Sequence, residues 1–403
     1  MSSETTIVIP ERELEDDRFD RLRLIQWWDQ EKIAATRVLV VGAGALGNEI
    51  LKNLALLGFR QILVVDLDSI ELSNLSRTVL YRAADVGHEK AATAAEATRQ
   101  LYSEANVHSI NANIVHEVGL GVFGWADLIF GGLDNREARL WINRCAWKMN
   151  RPWIDGAIEG INGVARVFLP GQAPCYECTL GETDWAILEK RMSCNLLTRE
   201  EMEAGKTATT PTVSSIIAGI QVQEGLKLIH DQPTLAGRGY VFEGLNHTSY
   251  VVEYTENEDC LSHETYPSCL SLDRDSITTT PDDLLEIARE KLRTEQVQLE
   301  FSRDVIHKLA CPQCGAEEEM FAPVGSISAR QGRCPKDDTL REVIAAHSYD
   351  GSQDFGNRPL AQLGLPAFDV VVARTMRAEL PMLLAGDAST VLGPLASNSH
   401  KPE

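Results

Sequence analysis

The sequence predicts an α/β protein built on a doubly wound, mostly parallel sheet, followed by a small mixed α+β C-terminal domain. Three observations predict this. The apolar run Arg37-Val-Leu-Val-Val41 leads straight into Gly-Ala-Gly-Ala-Leu-Gly47 and an amphipathic helix. Short apolar runs then alternate with helical patterns as far as Gly156, the order that builds a parallel sheet from βαβ units. Beyond that point the runs alternate more like antiparallel strands.

Taken in order, residues 1–16 are polar and acidic, an expected flexible N-terminus. Residues 17–36 carry apolar side chains at helical spacing and predict a leading helix. Val38–Val41 is a strand, Leu46–Leu57 a helix, Ile62–Asp66 a strand and Lys90–Tyr102 an Ala-rich helix. Asp127–Gly131 reads as a strand, Arg136–Met149 as a helix and Trp153–Gly156 as a strand. Gly163–Leu169, Tyr240–Gly244 and Ser249–Tyr254 are the antiparallel strands. Val213–His230 is a long apolar helix that Thr212 starts after Pro211. Residues 17–257 thus form the nucleotide-binding domain, with a crossover segment at 190–212. The Ser, Thr, Asp and Pro of 258–280 predict a linker. In the accessory domain, 281–390, Asp282–Leu292 is a helix, Val297–Phe301 a strand and Asp304–Ala310 a helix or turn. Thr339–Ala346 follows as a helix and Phe368–Ala373 as a strand, and 391–403 is expected to be a disordered tail.

The composition narrows the function. Net charge is −21, with 59 acidic against 38 basic residues. That opposes a broad nucleic-acid surface, which needs clustered Lys and Arg. No apolar run approaches the roughly 18 residues a membrane span needs, and Met1-Ser-Ser-Glu-Thr5 lacks a signal-peptide pattern. A cytoplasmic location is expected. Nine cysteines, four of them in two CxxC pairs, suit metal binding in a reducing compartment better than a disulfide framework.

Gly42, Gly44 and Gly47 form a GxGxxG at a strand-to-helix turn. The first permits the turn, the second lets backbone approach a phosphate, and the third lets the helix pack closely. Asp66, ending the second strand, suits ribose hydroxyls. Asn74, Arg77 and Lys90 follow within a short span as phosphate or carboxylate contacts. Asp134 comes after Leu128-Ile-Phe-Gly-Gly-Leu133, at the carboxyl end of a strand. There a carboxylate can hold Mg²⁺ against phosphates; it can also cap the helix that starts near Arg136. A nicotinamide enzyme would leave Arg77, Lys90 and Asp134 without a role.

These residues, in this order, resemble the ThiF/MoeB superfamily. The resemblance rests on Arg18-Phe-Asp-Arg21, Val40-Val-Gly-Ala-Gly-Ala-Leu-Gly47, Asp66-Leu-Asp68, Leu72-Ser-Asn-Leu-Ser-Arg77, Gly87-His-Glu-Lys90, Leu133-Asp-Asn135, Pro174-Cys-Tyr-Glu-Cys178 and Thr209-Thr-Pro-Thr-Val213. It covers roughly residues 17–255, and it is strongest to the activating enzymes of ubiquitin-like conjugation. The resemblance implies a Rossmann-like adenylation domain and an ATP-dependent adenylation of a protein's C-terminal carboxylate. Asp66 and Asp68 would then belong to the nucleotide site, with Asn74, Arg77 and Lys90 on phosphates and Asp134 on Mg²⁺. Arg21, or failing that Arg18, would reach the γ-phosphate of a partner subunit in a homodimer. Thr78 stands where the family usually has Gln.

Two CxxC turns can complete a tetrahedral zinc site, and the resemblance implies one formed by Cys175, Cys178, Cys311 and Cys314. The alternative is a local ribbon of Cys311, Cys314 and Cys334, whose second arm runs Cys334-Pro-Lys-Asp337 rather than CxxC. Cys260, Cys269 and His263 suggest a further metal group. Cys145 falls in an amphipathic helix and reads as core. Cys194 lies sixteen residues past Cys178, behind Lys190 and Arg191, which favour a thiolate. The resemblance places a thioester-forming nucleophile in this interval. The leading function is therefore adenylation of the terminal glycine of a ubiquitin-like protein, transfer to Cys194, and handover to a conjugating enzyme. The alternatives are an adenylyltransferase for a sulfur-carrier protein, without a thioester, and a noncatalytic scaffold.

Overall fold

The structure, a computed structural model, describes residues 17–172, 174–192 and 208–398. Strands β1 (Arg37–Val41), β2 (Gln61–Val65), β3 (Asn106–Ile110), β4 (Leu128–Gly131) and β5 (Trp153–Glu159) lie parallel in the order β3-β2-β1-β4-β5. Three antiparallel strands extend the same sheet: β6 (Asn162–Phe168), β7 (Arg238–Glu243) and β8 (Thr248–Glu253). The strand order reverses between β1 and β4, which opens a crevice at their carboxyl ends.

Both faces of the parallel part are covered, so β1 and β2 read as near-continuous apolar runs. Val38, Val40, Ile62 and Val64 face one core with helices α2 (Ala45–Leu57), α3 (Lys90–Leu101) and the long helix (Pro211–Ile229). Leu39, Val41, Leu63 and Val65 face the other, with α4 (Leu120–Trp125) and α5 (Arg136–Lys148). Naming the helices in chain order, α1 is Gln30–Ala35, α6 Glu182–Met192 and α7 Pro211–Ile229. No helix among the described residues is long and apolar enough to cross a membrane.

The chain's last third forms a second sheet. Its strands are β9 (Leu270–Leu272), β10 (Gln298–Ala310), β11 (Glu317–Pro323), β12 (Glu342–Tyr349), β13 (Val370–Arg374) and β14 (Glu379–Leu384), in the order β11-β10-β13-β14-β9 with β12 also on β10. Helix α8 (Pro281–Leu292) packs on this sheet, capped by the reciprocal box of Thr280 and Asp283. A last helix, α9 (Ala388–Leu392), returns to the first sheet, where Leu392 and Leu395 are buried with Phe368, Val370 and Val372.

Several expectations are corrected. The leading helix over 17–36 is broken into a 3-10 turn (Leu22–Leu24) and α1, because the Asp29 carboxylate accepts from the Glu31 and Lys32 amides and starts a new helix. Helix α7 is capped by Thr210, with Pro211 in its first turn, not by Thr212. Asp304–Ala310 and Thr339–Ala346 are not helical. The first continues β10 through register shifts, and most of the second lies in β12, paired with β10. Residues 258–280 hold β9 and a 3-10 turn (Leu261–His263) rather than a featureless linker. Gly393–Asn398, expected in the tail, is a 3-10 helix packed on β3, where Asn106 Nδ2 donates to Pro394 O at 3.3 Å. Residues 1–16 and 399–403 lie outside the described residues.

Asp369 joins the two sheets. Its Oδ1 accepts from the Leu120 amide at 2.8 Å, at the start of α4. Ser302 Oγ donates to Oδ2 at 2.5 Å. Arg303 lies 4.0 Å from the same carboxylate and donates to the carbonyls of Val115 and Val118, both at 2.9 Å. Asp369, Arg303, Leu120 and Val118 are buried, and Ser302 and Val115 half-buried. Asp369→Ala strips a helix cap and leaves the Arg303 guanidinium without its counter-charge. The expected loss is roughly 3 kcal/mol, read as a fall in the urea midpoint; Asp369→Asn is expected to lose less.

Candidate nucleotide site and metal clusters

The crevice at the carboxyl ends of β1, β2 and β4 is formed by backbone that only glycine permits. Gly42 has φ +94°, and a Cβ there would lie 2.6 Å from Gly132 O. A Cβ on Gly47 would sit 1.9 Å from Gly42 O. Gly44, by contrast, faces open space, where a ligand can approach the start of α2.

Asp66 clamps this turn. Its Oδ2 accepts from the Ala43 amide at 2.7 Å and its Oδ1 from the Asp68 amide at 2.8 Å. Burial pushes the Asp66 carboxyl up, while Lys90 and the two amides pull the other way. Each oxygen keeps a lone pair for a ribose hydroxyl. Two residues that the sequence reading missed hold the turn from behind. Asn48 is fully buried; its Nδ2 donates to the carbonyls of Ala43 (2.7 Å) and Gly44 (3.1 Å). The Tyr81 hydroxyl lies 2.7 Å from Ala43 O and 3.1 Å from Lys90 O. The only sequence signal for Asn48 is a polar residue on the buried face of an apolar helix.

Residues 69–70 pair with 87–89, which brings the loop after β2 beside the start of α3. Lys90 Nζ thereby reaches Asp68 Oδ2 at 2.7 Å. Asn74 is buried, its Oδ1 accepting from the Glu71 amide at 3.0 Å, which leaves its NH₂ without a partner among the described residues. Arg77 Nη1 donates to Ser73 O at 2.9 Å. Thr78 Oγ1 donates to Asn74 O at 2.9 Å, so the residue that departs from the family pattern holds this turn. Arg18 stacks over Tyr102 at 4.8 Å and donates to Leu101 O at 3.3 Å, whereas Arg21 is exposed and unpaired among the described residues.

Asp134 is exposed at the end of β4 with no partner among the described residues. The cap of α5 is Asn135, whose Oδ1 accepts from the Ala138 amide at 2.8 Å. The carboxylate is therefore left free for a cation. Behind it, buried Asp155 lies between Arg139 and Arg166, each with Nε at 2.9 Å. Arg139 also donates to the carbonyls of Leu133 and Gly156. Gln221 of α7 donates to Gly131 O at 2.8 Å and closes the same strand end.

The cysteines do not form one joint site. Cys175 and Cys178 meet Cys260 and His263: Cys175 Sγ is 3.8 Å from Cys178 Sγ and 3.5 Å from Cys260 Sγ, and Cys178 Sγ is 3.4 Å from His263 Nε2. Cys311 and Cys314 cluster with Cys334 and Asp337 in the second sheet. The reason is topological. The turn after β6 packs on α5 and on the segment after β8, while the second CxxC sits at the far end of β10, hydrogen-bonded within its own hairpins. A four-coordinate zinc with Zn–S about 2.3 Å and Zn–N about 2.0 Å places S···S near 3.8 Å and S···N near 3.5 Å, which the first cluster matches. His263 is oriented by Glu256, 3.7 Å from its Nδ1, and by stacking on Trp147. Cys269 stands outside both clusters, its thiol pushed up to about 11 by burial. Cys145 is core, pushed up to about 12 by burial. Cys194 lies outside the described residues. Its segment is flanked by α6 on one side and by Ala208–Thr210, hydrogen-bonded to Gly160 at 2.7 and 3.2 Å, on the other.

A doubly wound domain with a glycine turn, a strand-end acid clamp and a free carboxylate at the switch point defines a nucleotide-binding α/β protein. The ThiF family matches residues 18–262, and the chain belongs to that family. Over 149 residues it is 40% identical to the SUMO-activating enzyme subunit uba-2 of Caenorhabditis elegans, covering 37% of this chain and 26% of that protein. Over 157 residues it is 40% identical to the NEDD8-activating enzyme E1 catalytic subunit of Arabidopsis thaliana, covering 36% and 34%. The matched stretch is thus about a quarter to a third of those relatives' own length. Escherichia coli MccB, solved with ATP, shares the fold at TM-score 0.52 and 23% identity, over 62% of this chain and 75% of that one.

The geometry separates two neighbouring residues. Asn135→Ala is expected to lower stability by about 1 kcal/mol through the lost cap. Asp134→Ala, with no partner to lose, stays within about 0.5 kcal/mol of the parent. Thermal unfolding of both variants checks this.

Proposed function

We propose that this protein activates a ubiquitin-like protein in two steps. A C-terminal glycine carboxylate attacks the α-phosphorus of ATP, the α–β bridging bond breaks, and pyrophosphate leaves an acyl-adenylate. The Cys194 thiolate then attacks the acyl carbon, AMP departs, and the thioester passes to a conjugating enzyme. The observation that carries the reading is the free Asp134 carboxylate at the switch point, its helix-capping duty taken by Asn135. The family and the named relatives support it.

Such a reaction needs little covalent help; positioning and charge neutralisation do most of the work. The open face of Gly44, between Gly42 and Gly47, takes the phosphates onto the start of α2. Asp66 holds the ribose, with Asp68 beside it. Asn74 offers its unused NH₂, Arg77 a guanidinium and Lys90 an ammonium to the phosphates, and Lys90 can exchange Asp68 for a phosphate oxygen. Asp134 fits as the Mg²⁺ ligand, and the ion supplies charge neutralisation on the polyphosphate. Arg21 acts toward the nucleotide of a second copy. Beside it Leu24, Ile25 and Trp27 are exposed, an apolar stretch for that copy to cover. The cluster of Cys175, Cys178, Cys260 and His263 fits a structural zinc ion that ties the turn after β6 to the segment after β8.

With Mg-ATP and the cognate carrier, a thiol-sensitive covalent adduct is expected, and Cys194→Ala abolishes it. An adduct that persists in that variant moves the nucleophile elsewhere; adenylate with no adduct in the parent favours the sulfur-carrier reading. Asp134→Ala is expected to lower ATP–pyrophosphate exchange by roughly 10²-fold or more. Unchanged exchange would remove Asp134 from the metal site and restore the scaffold alternative.

A further inference from the structure

We propose that Cys311, Cys314, Cys334 and Asp337 form a second, separate zinc site that staples the lobe of residues 306–347. The site is independent of the nucleotide chemistry and of the Cys175 cluster.

Three observations carry it. The first is internal symmetry. Cys311-Pro-Gln-Cys314-Gly315-Ala316 and Cys334-Pro-Lys-Asp337-Asp338-Thr339 are two copies of one turn. Cys311 N–H donates to Ala316 O at 2.8 Å, and Cys334 N–H to Thr339 O at 2.8 Å. Gly315 N–H donates to Cys311 O at 3.0 Å, and Asp338 N–H to Cys334 O at 2.9 Å. Gly315 and Asp338 both have positive φ, 68° and 59°. The Cys314 amide points at Cys311 Sγ at 3.5 Å. In this pairing Asp337 occupies the place that Cys314 holds in the first turn.

The second is distance. A tetrahedral zinc with Zn–S about 2.3 Å and Zn–O about 2.0 Å requires S···S near 3.8 Å and S···O near 3.5 Å. Cys314 Sγ and Cys334 Sγ are 3.7 Å apart, and Cys311 Sγ lies 3.5 Å from Asp337 Oδ2. All four ligand atoms fall within 4.8 Å of one another. Asp337 Oδ1 accepts from the Thr339 amide at 3.0 Å, which orients the carboxylate and leaves Oδ2 to ligate. Three thiolates select zinc among the abundant divalent ions.

The third is the poverty of the lobe's own core. Beyond the main body of the second sheet, only Ile306, Leu309 and Ile327 form a buried apolar cluster, with Met320, Ala322, Val324 and Val343 around it. Arg341 ties the second turn to β11 through Glu318 and to the carbonyls of Gly332 and Gln331. So small an apolar cluster does not hold two long hairpin arms by itself; small units of this kind are completed by a metal. Cys311 and Cys334 are buried at its tip.

The test is the zinc content of the full-length protein, purified reduced from zinc-supplemented medium. Two equivalents per chain are expected. Cys334→Ser halves the content, Cys178→Ser halves it by removing the other ion, and the double variant holds none. Asp337→Cys keeps both and surrenders the second more slowly to a chelator. Amide exchange in 306–347 quickens in Cys334→Ser while β1, β2 and β4 keep their protection. Should that variant fold poorly, stepwise chelation of the parent protein gives the same readout, with exchange in 306–347 rising as one ion leaves. A single equivalent in the parent that Cys178→Ser removes, or a content that Cys334→Ser leaves at two, overturns the proposal. So does exchange in 306–347 that chelation does not change.

Discussion

The approach of the β1 turn to α2 and to the end of β4 is the constraint on which the nucleotide site depends. Gly42 O lies where a Gly47 Cβ would be, and the space above Gly42 is taken by Gly132. With no side chain at any of the three positions, the β1 turn, the start of α2 and the end of β4 pack backbone against backbone, and the Gly132 amide still donates to Val41 O at 2.8 Å. The other parts are fitted to that turn. Asp66 holds its amide side, and Asn48 and Tyr81 hold its carbonyl side. A turn gripped from both sides holds the open face of Gly44 in place, and a cradle organised in advance costs little ordering on binding.

The second constraint is that the first sheet cannot cover its own second face. Helix α4 is only six residues long, too short to bury that face alone. Phe368, Val370, Val372, Leu392 and Leu395 fill the remainder from the end of the chain. The start of α4 is completed by Asp369 rather than by a local cap. The C-terminal third is thus part of the first domain's packing, and the two sheets share a core.

How much of this was legible follows from where each signal lies. The glycine turn, the acid at the end of β2 and the carboxylate after β4 were readable because local chain geometry dictates them. So were the strands buried on both faces, since burial on both sides leaves a continuous apolar run. β3 escaped because Asn106-Val-His-Ser-Ile110 is half polar and buries only Val107. β12 reads as a helix because Glu342–Tyr349 carries two adjacent alanines and no regular alternation of buried and exposed residues, and only pairing with β10 makes it a strand. The candidate metal ligands are legible as residues but not in their grouping. Two CxxC turns look interchangeable in one dimension; which pair meets Cys260 and His263 is settled by the path of the chain after β8.

The electrostatics of the site run against the whole molecule. A chain with net charge −21 repels a polyphosphate at long range, although salt screens that repulsion beyond about 8 Å. Close to the site basic groups balance the acids, with Arg77, Lys90 and the Arg139–Asp155–Arg166 trio against Asp66, Asp68 and Asp134. Asp155 is fully buried between two guanidiniums, so the trio carries one net positive charge in a low-dielectric setting where screening is weak. Arg139 directs that charge into the carbonyls of Leu133 and Gly156, stiffening the turn that ends in Asp134. Upstream of it the strand end is held by pairing with β1 and β5, by the Gly132 amide on Val41 O and by Gln221 on Gly131 O. A buried ion trio is poor evidence for stability. Its location argues for another role: through Arg139 it braces the backbone beneath Asp134, while Arg77 and Lys90 stand on the facing loop.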